Sequence, residues 1–385
     1  MKKGNRTILP LSILVLAFCI GGCSKEGSDK QHFNYGEKIS FIAGSVGTGT
    51  KTVYAGSSDD GSERIDWEKN DLVRIYCGAV SSPDSKYADF SVKTGGARES
   101  EIEEYAGALY WGSGDHTFYA VYPSPLTVGK ESDVLGNGTL KGYIPRVQKP
   151  RAIQSGSGGV TFLAKTDMIN QYMVARTTVT EASSLSNEGI ELEFIPITTT
   201  IGFILKNDFA KKGDLEICSV ELTSEKNALY GGFTADLTPT GWNPDNSNNP
   251  YPACTKDYGA ESGGNVSVDF SQTDASGHIT LKYGQSLQFN MFIMPVSGYD
   301  ELLFSIHKAD GSTMSTRLKA DFKCHEKSTL SGVLVPEGGQ WTIKYGPQAG
   351  NWGGETGELY MNPEIQINTF VSDWIGGTQG NLDLF

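Results

Sequence analysis

Long apolar runs are scarce in this sequence. The run from Ile8 to Ile20 is too short for a helix that crosses a bilayer, which takes about 20 apolar residues. No heptad pattern and no internal repeat follows it. The sequence therefore predicts no membrane-spanning helix, no coiled coil and no repeat architecture.

Positive charge is also in short supply. The chain has 32 lysine and arginine residues against 45 aspartate and glutamate residues, for a net charge of −13. Phosphate backbones and anionic lipid surfaces repel an acidic body. We therefore expect no nucleic-acid partner.

Recognisable catalytic and metal-binding motifs are missing as well. The five histidines are scattered, no His-Glu-x-x-His or Gly-x-Ser-x-Gly motif occurs, and the glycine-rich runs lack a phosphate-loop lysine. Cys324 and His325 form a soft pair of metal ligands without zinc-finger spacing around it. The run Glu99–Glu104 is interpreted as a solvated loop of like charges. We predict no enzyme activity, no cofactor and no metal.

What is present at the N-terminus is an export signal. Lys2, Lys3 and Arg6 precede the apolar run, and Ile20-Gly21-Gly22-Cys23 follows it. This order is typical of a signal peptide, and the small residues before a cysteine resemble the lipobox of bacterial lipoproteins. In that class Cys23 carries the acyl chains, and two or more chains anchor a protein stably. The alternative is an ordinary secretory signal in which Cys23 has no special role.

Few cysteines remain after that segment. Cys77, Cys218, Cys254 and Cys324 are too few for a disulfide scaffold in a chain this long. Export permits pairing, but buried unpaired thiols fit the pattern as well, and the sequence does not choose between them.

The composition indicates an all-β fold. Glycine is abundant, with 47 residues, and short runs of aromatic and β-branched residues alternate with turn signals. We predict strands at about ten-residue intervals, which favours sandwiches. The predicted strands include, in chain order, Lys38–Ala43, Leu72–Tyr76, Ala106–Trp111, Asp115–Tyr122, Met168–Thr180, Ile190–Phe194, Ile201–Leu205, Leu215–Leu222, Ala228–Leu237, Ile279–Leu281, Leu287–Ile293, Glu301–Lys308, Trp341–Tyr345 and Phe370–Trp374.

Composition shifts divide the chain into four predicted parts. Residues 1–22 are the signal peptide, and residues 23–36 are a polar, lipidated tether. A polar stretch near Glu181–Glu188 separates an N-terminal β-sandwich at residues 37–183 from a C-terminal β-sandwich at residues 184–385.

With these residues in place, the chain resembles the fimbrillin-like lipoproteins of Bacteroidetes, which include the FimA- and Mfa-type pilus subunits. The motifs that carry the resemblance are spread over nearly the whole mature chain. They are Cys23 with its lipobox, Ile39-Ser40-Phe41, Trp67–Asp71, Phe118–Pro123, Leu192-Glu193-Phe194, Met294-Pro295, Asp310-Gly311, Trp341-Thr342-Ile343 and Ile365–Trp374.

The resemblance implies two tandem transthyretin-like β-sandwich domains and a lipid anchor in the outer membrane, at the cell surface. It also implies proteolytic removal of the first strand, after which a strand from another fimbrial subunit fills the groove. The first arginine after Cys23 is Arg64, so Arg64 is the candidate cleavage site, or else an ordinary exposed residue. Ile365–Trp374 is the candidate donor strand, or else a native last strand.

Two functions from different classes remain at this point. The first is a fimbrial subunit (stalk, tip or anchor) that assembles by strand donation and serves adhesion. The second is a surface glycan-binding lipoprotein, in which Trp242, Tyr251, Trp352 and Tyr360 stack on sugar rings from glycine- and asparagine-rich loops. The alternative for these aromatic residues, and the commoner role of a tryptophan at a sandwich rim, is packing.

Overall fold

The computed structural model describes most of the chain between Tyr35 and Leu382. The described residues are 35–45, 50–51, 53–57, 63–128, 133–134, 138–156, 159–180, 189–207, 213–243, 251–257, 261–272, 276–294, 300–320, 326–337, 340–345, 369–373 and 380–382. Side chains are described in these ranges except at residues 45–65, 128, 133–134, 300–301 and from 316 onward.

Nearly every described element is a strand. Strands β1 to β9 are Phe41–Ser45, Thr50–Lys51, Val53–Ser57, Glu63–Asp66, Leu72–Tyr76, Tyr87–Val92, Ser100–Ala106, His116–Tyr122 and Asp133–Val134. Strands β10 to β18 are Thr139–Ile144, Val147–Gln148, Ala152–Ser155, Phe162–Lys165, Met173–Val179, Ile190–Pro196, Thr199–Asn207, Leu215–Ser224 and Gly231–Asp236. Strands β19 to β28 are Cys254–Lys256, Asn265–Asp269, Ile279–Leu281, Ser286–Ile293, Asp300–Lys308, Thr313–Ala320, Glu326–Glu337, Gln340–Tyr345, Thr369–Asp373 and Gly380–Leu382. The helical elements are α1, Pro125–Val128, and a 3-10 turn, Met168–Asn170.

Seven strands form a closed sheet in the order β1-β15-β14-β8-β5-β6-β7. Strand alternation sends every second side chain inward. Many of the inward side chains are aromatic. Trp67 packs edge-to-face on Phe194 and Tyr122, with ring centroids 5.1 and 5.6 Å apart. The three-stranded sheet β2-β4-β3 lies between β1 and β5 in the chain.

The later strands form two sheets that pack face to face. One has the order β11-β20-β17-β23-β24, with β21 beside β17, and the other has the order β12-β13-β22-β16-β25-β27-β28, with β26 beside β25. Phe203 of one sheet stacks on Phe304 of the other at 5.0 Å, and on its own neighbour Phe289 at 4.9 Å. A shared apolar layer between two sheets is the arrangement of a β-sandwich, so the predicted all-β class is confirmed.

A four-stranded sheet, β19-β18-β10-β9, covers the outer face of the closed sheet at β8, β14 and β15. Val121, Val174 and Ile195 point outward there and pack with Leu140 and Phe233. The closed sheet is therefore buried on both faces on this side.

Strand pairing runs across the predicted boundary between residues 183 and 184. Strand β15 lies in the closed sheet, while β10 pairs with β18, β11 with β20, and β13 with β22. The count of two domains and their limits at 37–183 and 184–385 stay predictions.

Candidate functional site

The first strand occupies a distinct place in the closed sheet. Strand β1 pairs with β15 in parallel and with β7 in antiparallel orientation, so Phe41 lies opposite both Ile190 and Ile102. Ile39, Phe41 and Ala43 are buried, while Ser40 on the other face is exposed. A segment with backbone partners on both sides and apolar side chains on one face fills a groove between β7 and β15.

Phe41 fills the centre of that groove. Its ring packs edge-to-face against Phe90 at 5.1 Å and Phe118 at 5.2 Å, and the residue is 2% exposed. Burial of such a side chain contributes about 1.5–3 kcal/mol, and edge-to-face pairs add about 0.5–1.5 kcal/mol. Most of the apolar stabilisation of β1 therefore comes from this residue.

The segment before β1 is held by a second set of backbone bonds. Gly36 N–H donates to the Trp111 carbonyl, Trp111 N–H donates to the Glu37 carbonyl, and Ile39 N–H donates to the Leu109 carbonyl, each at 2.9 Å. Lys38 adds an ion pair with Glu104 at 2.8 Å, in an exposed position. Pairing of the N-terminal segment thus extends from Gly36 to the end of β1.

His116 fixes the segment that receives residues 36–39. The buried imidazole accepts the Gly112 N–H at Nε2, at 3.0 Å, and its Nδ1 lies 2.8 Å from the Gly114 carbonyl. These partners match a neutral ring protonated at Nδ1. The Trp111 ring packs edge-to-face on it at 4.9 Å.

Removal of β1 would leave a site with defined chemistry. The edges of β7 and β15 would present unpaired N–H and C=O groups. Phe90, Phe118 and Leu192, all buried in the core around Phe41, would form the apolar floor. Such a groove fits an extended strand with alternating apolar side chains.

Arg64, the predicted cleavage residue, lies in β4, the middle strand of the β2-β4-β3 sheet. The register between β3 and β4 breaks between Tyr54 and Ser57, opposite this position. Because β1 precedes Arg64 and the closed sheet resumes after it, a cut there would separate β1 from the rest of the chain. Cleavage itself stays a prediction.

The chain just beyond Arg64 is anchored. Asp66 and Trp67 are buried, and Asn70 has a left-handed backbone with φ of 71° in the turn that follows. Glu68 N–H donates to the Asp71 carboxylate at 2.7 Å, and the Glu68 side chain pairs with Arg151 and Lys165. A cut at Arg64 would therefore sever the upstream segment from the chain and leave the downstream one in place.

Strand β7, the wall on one side of β1, was not predicted. The glutamate run at Glu99–Glu104, interpreted as a loop, continues into β7, whose Ser100 and Ile102 side chains are buried. The predicted strand Ala106–Trp111 is wrong, since Ala106 is the last residue of β7 and residues 107–111 contribute a single bridge at Tyr110. Alternation of Ser100-Glu101-Ile102-Glu103 was the signal that identifies the strand.

The candidate donor strand, Ile365–Trp374, is described in part. Residues 369–373 form β27, which lies between β25 and β28 in the same chain. Phe370 pairs with Thr329, and Asp373 pairs with Glu326. The described part of this segment is thus a strand of its own sheet.

Two aromatic residues expected to bind sugars do not line an exposed surface. Trp242 is 4% exposed and Tyr251 is 8% exposed, both within the core under the four-stranded sheet. Arg176 lies over the Trp242 ring at 5.2 Å and donates to its carbonyl. The exposure that sugar stacking requires is absent at these two residues, because both side chains pack in the core under the four-stranded sheet; Trp352 and Tyr360 lie outside the described residues.

The other predicted residues are distributed as follows. Cys23 and Cys324 lie outside the described residues. Among the described cysteines, Cys77, Cys218 and Cys254, no disulfide forms. Burial raises the pKa of the Cys77 thiol, which keeps it protonated as a small apolar side chain.

The described residues contain no group of three or more His, Cys, Asp or Glu side chains arranged to hold a metal ion. In the same ranges, no helix has the length and apolar character needed to cross a membrane.

No protein-family model and no curated protein matches the chain. Among solved structures, a "putative cell adhesion protein" from Bacteroides ovatus is 13% identical, over 81% of this chain and 96% of that one, with a TM-score of 0.46. A protein of the same description from Bacteroides uniformis is 12% identical, over 80% and 96%, with a TM-score of 0.46. A fimbrial assembly protein from Parabacteroides distasonis is 10% identical, over 80% and 96%, with a TM-score of 0.34.

The three neighbours come from Bacteroides and Parabacteroides species. At such identities and TM-scores, these structures carry no argument about the family or the function of this chain.

Proposed function

We propose that this chain is a lipid-anchored subunit of a cell-surface fimbria that assembles by strand exchange and serves adhesion. The observation that supports this proposal is the place of β1. It closes the sheet between β7 and β15, it precedes the candidate cleavage site, and it fills an apolar groove through Phe41.

The mechanism has three steps in this proposal. A protease cuts after Arg64, β1 leaves, and the edges of β7 and β15 lose their partner. A strand from another fimbrial subunit then restores the backbone hydrogen bonds and covers the apolar floor. The acylated Cys23 holds the precursor in the outer membrane, and cleavage releases the body from that tether. A subunit that is never cut stays as an anchor or as an unpolymerised surface protein.

Protease treatment tests the central step. The chain without residues 1–22 is incubated with an arginine-specific protease and examined by denaturing gel without boiling. We expect a ladder of multimers, and we expect none from the Arg64→Gln variant. A clipped wild-type protein that stays monomeric would contradict strand exchange.

Fatty-acid labelling tests the anchor. Cells that express the full chain incorporate a labelled fatty acid into the wild type and into Cys19→Ala, which lies within the apolar run. Label is lost only in Cys23→Ala. Equal labelling of both variants would show that the lipobox interpretation is wrong.

The glycan-binding alternative has weaker support because Trp242 and Tyr251 are buried. Retention of the protein on a polysaccharide gel, together with a monomeric state after protease treatment, would favour it over the fimbrial subunit.

A further inference from the structure

The outer face of β1 lies between glutamates on both sides. Ile42 pairs with Glu101 of β7 on one side and with Glu191 of β15 on the other. Gly44 pairs with Glu193, and the Cγ of Glu99 lies 3.6 Å from the position that a Gly44 Cβ would take. Together with Glu103 on the same face of β7, these exposed carboxylates form two acidic rims, consisting of Glu99, Glu101, Glu103, Glu191 and Glu193.

Lysine side chains pair with glutamates in or beside the acidic rims. Lys93 pairs with Glu101 at 2.6 Å, and its ammonium lowers the pKa of that carboxyl. Lys38, an outward-facing residue just before β1, pairs with Glu104 beside the same rim at 2.8 Å. Arg98 is in the turn that precedes β7. The segment that fills the groove thus already places one lysine against a glutamate of β7.

The remaining outward positions of that segment carry no charge. Ser40, Ile42 and Gly44 follow Lys38 on the same face, and none of them carries a positive charge to pair with the acidic rims. Opposite charges across neighbouring strands are stabilising, and like charges are destabilising. A strand with lysine or arginine at these positions would therefore fit the groove better than β1 does, and the rims would attract it during approach.

We propose that the groove between β7 and β15 favours a donor strand with apolar inward side chains and lysine or arginine outward, so that a different subunit with such a strand binds more tightly than a second copy of this chain does. This inference rests on the proposed function. The candidate donor of the chain itself, Ile365–Trp374, contains Asp373 and no lysine or arginine, so it lacks the chemistry that the acidic rims favour. The partner is identified by an alternating apolar and basic strand.

Peptide binding to the emptied groove tests the selection. The chain without residues 1–22 is cut with the arginine-specific protease and mixed with labelled peptides of residues 36–45. One peptide has the natural sequence, one carries Ser40→Lys and Ile42→Lys, and one carries Ser40→Glu and Ile42→Glu. Inward residues are the same in all three.

We expect the Lys peptide to bind about tenfold more tightly than the Glu peptide, as two opposite-charge positions in place of two like-charge positions require. The ratio of the two peptide affinities falls in 1 M salt, where the screening length is about 3 Å. This affinity ratio also falls when the cut chain carries both Glu101→Gln and Glu191→Gln. Equal binding of all three peptides overturns charge selection and leaves strand exchange intact, whereas binding of none overturns the proposed function.

A second measurement tests the acidic rims without any cleavage. In the uncut chain, Ile42→Lys and Ile42→Glu lose the same outward apolar side chain and gain charges of opposite sign. We expect the Lys variant to melt about 2–4 °C above the Glu variant at low salt, and we expect the gap to narrow in 1 M salt. Equal melting temperatures, or a higher value for the Glu variant, would overturn the inference regardless of the peptide result.

Discussion

Phe41 shows how much one side chain contributes to the place of β1. The strand has five residues, and only its inward positions reach the core of the closed sheet. Phe41 contacts two rings there, while Ala43 and Gly44 offer little apolar surface. Retention of β1 therefore depends on one aromatic contact and the backbone bonds on both sides.

Truncation of this residue is expected to destabilise the fold. Phe41→Ala should lower the free energy of unfolding by about 3–5 kcal/mol, because it removes a buried ring and leaves a cavity. Urea denaturation of the uncut chain measures the change. Ser40→Ala, on the exposed face of the same strand, serves as the control and should stay within about 0.5 kcal/mol of the wild type. A loss below about 1 kcal/mol for Phe41→Ala would mean that the ring does not hold the strand.

Single residues also mark the limit of prediction from sequence. Trp67 belongs to the motif Trp67–Asp71 that carries part of the resemblance, and it is buried in the core of the closed sheet. Exposure of Trp242 and Tyr251 was required only by the glycan-binding alternative, which rested on the asparagine and glycine of their loop, and both residues are buried. Composition of a loop does not reveal which of its side chains turn inward.

Among the strands, those with clear alternation and nearby turns were predicted best. Strands β5 and β21 have the predicted bounds, and Asp310-Gly311 lies in the hairpin turn that joins β23 to β24. Of the two strands that flank β1, only β15 was predicted. Pairing of β1 with β15 is parallel and joins distant parts of the chain, so no local pattern encodes it.

The β23–β24 hairpin supplies a prediction about pH. Asp310 accepts the Ser312 hydroxyl at 2.6 Å and the Ser312 N–H at 2.9 Å, with Lys308 at 3.2 Å, and these bonds lower its pKa to about 2. Because the pKa is depressed in the folded state, the carboxylate stabilises the fold above about pH 4, and that contribution is lost as the pH falls towards about 2.

Asp310→Asn should accordingly be less stable than the wild type at pH 6, and the two proteins should converge on acidification between about pH 4 and pH 2. Thermal unfolding of both proteins across this range measures the difference. A gap that stays constant with pH would show that the charge of Asp310 is not the cause.

Taken as a whole, the molecule is joined by pairing between early and late segments. Strands β10, β11 and β13 each pair with a strand that follows residue 230. The Gln148 side chain, which precedes the predicted boundary, accepts the N–H of Phe292, which follows it. If the chain is divided at residue 183, the edges of β10, β11 and β13 lose the strands to which they are hydrogen-bonded.

Expression of residues 37–183 alone should therefore give no cooperative unfolding transition, because the fragment lacks β15 and the partners of β10, β11 and β13. Calorimetry or denaturant unfolding of the fragment, compared with residues 37–385, provides the measurement. A cooperative transition in the fragment would instead support the predicted limit at residue 183.

The mixed orientation of β1 has a consequence for polarity. Its parallel bonds to β15 are slanted and its antiparallel bonds to β7 are perpendicular. An incoming segment matches both patterns in one direction, since reversal exchanges the parallel and antiparallel sides. If subunits join through this groove, every joint has the same sense, and the two ends of the resulting fibre differ in chemistry. Growth would then take place by addition at one defined end.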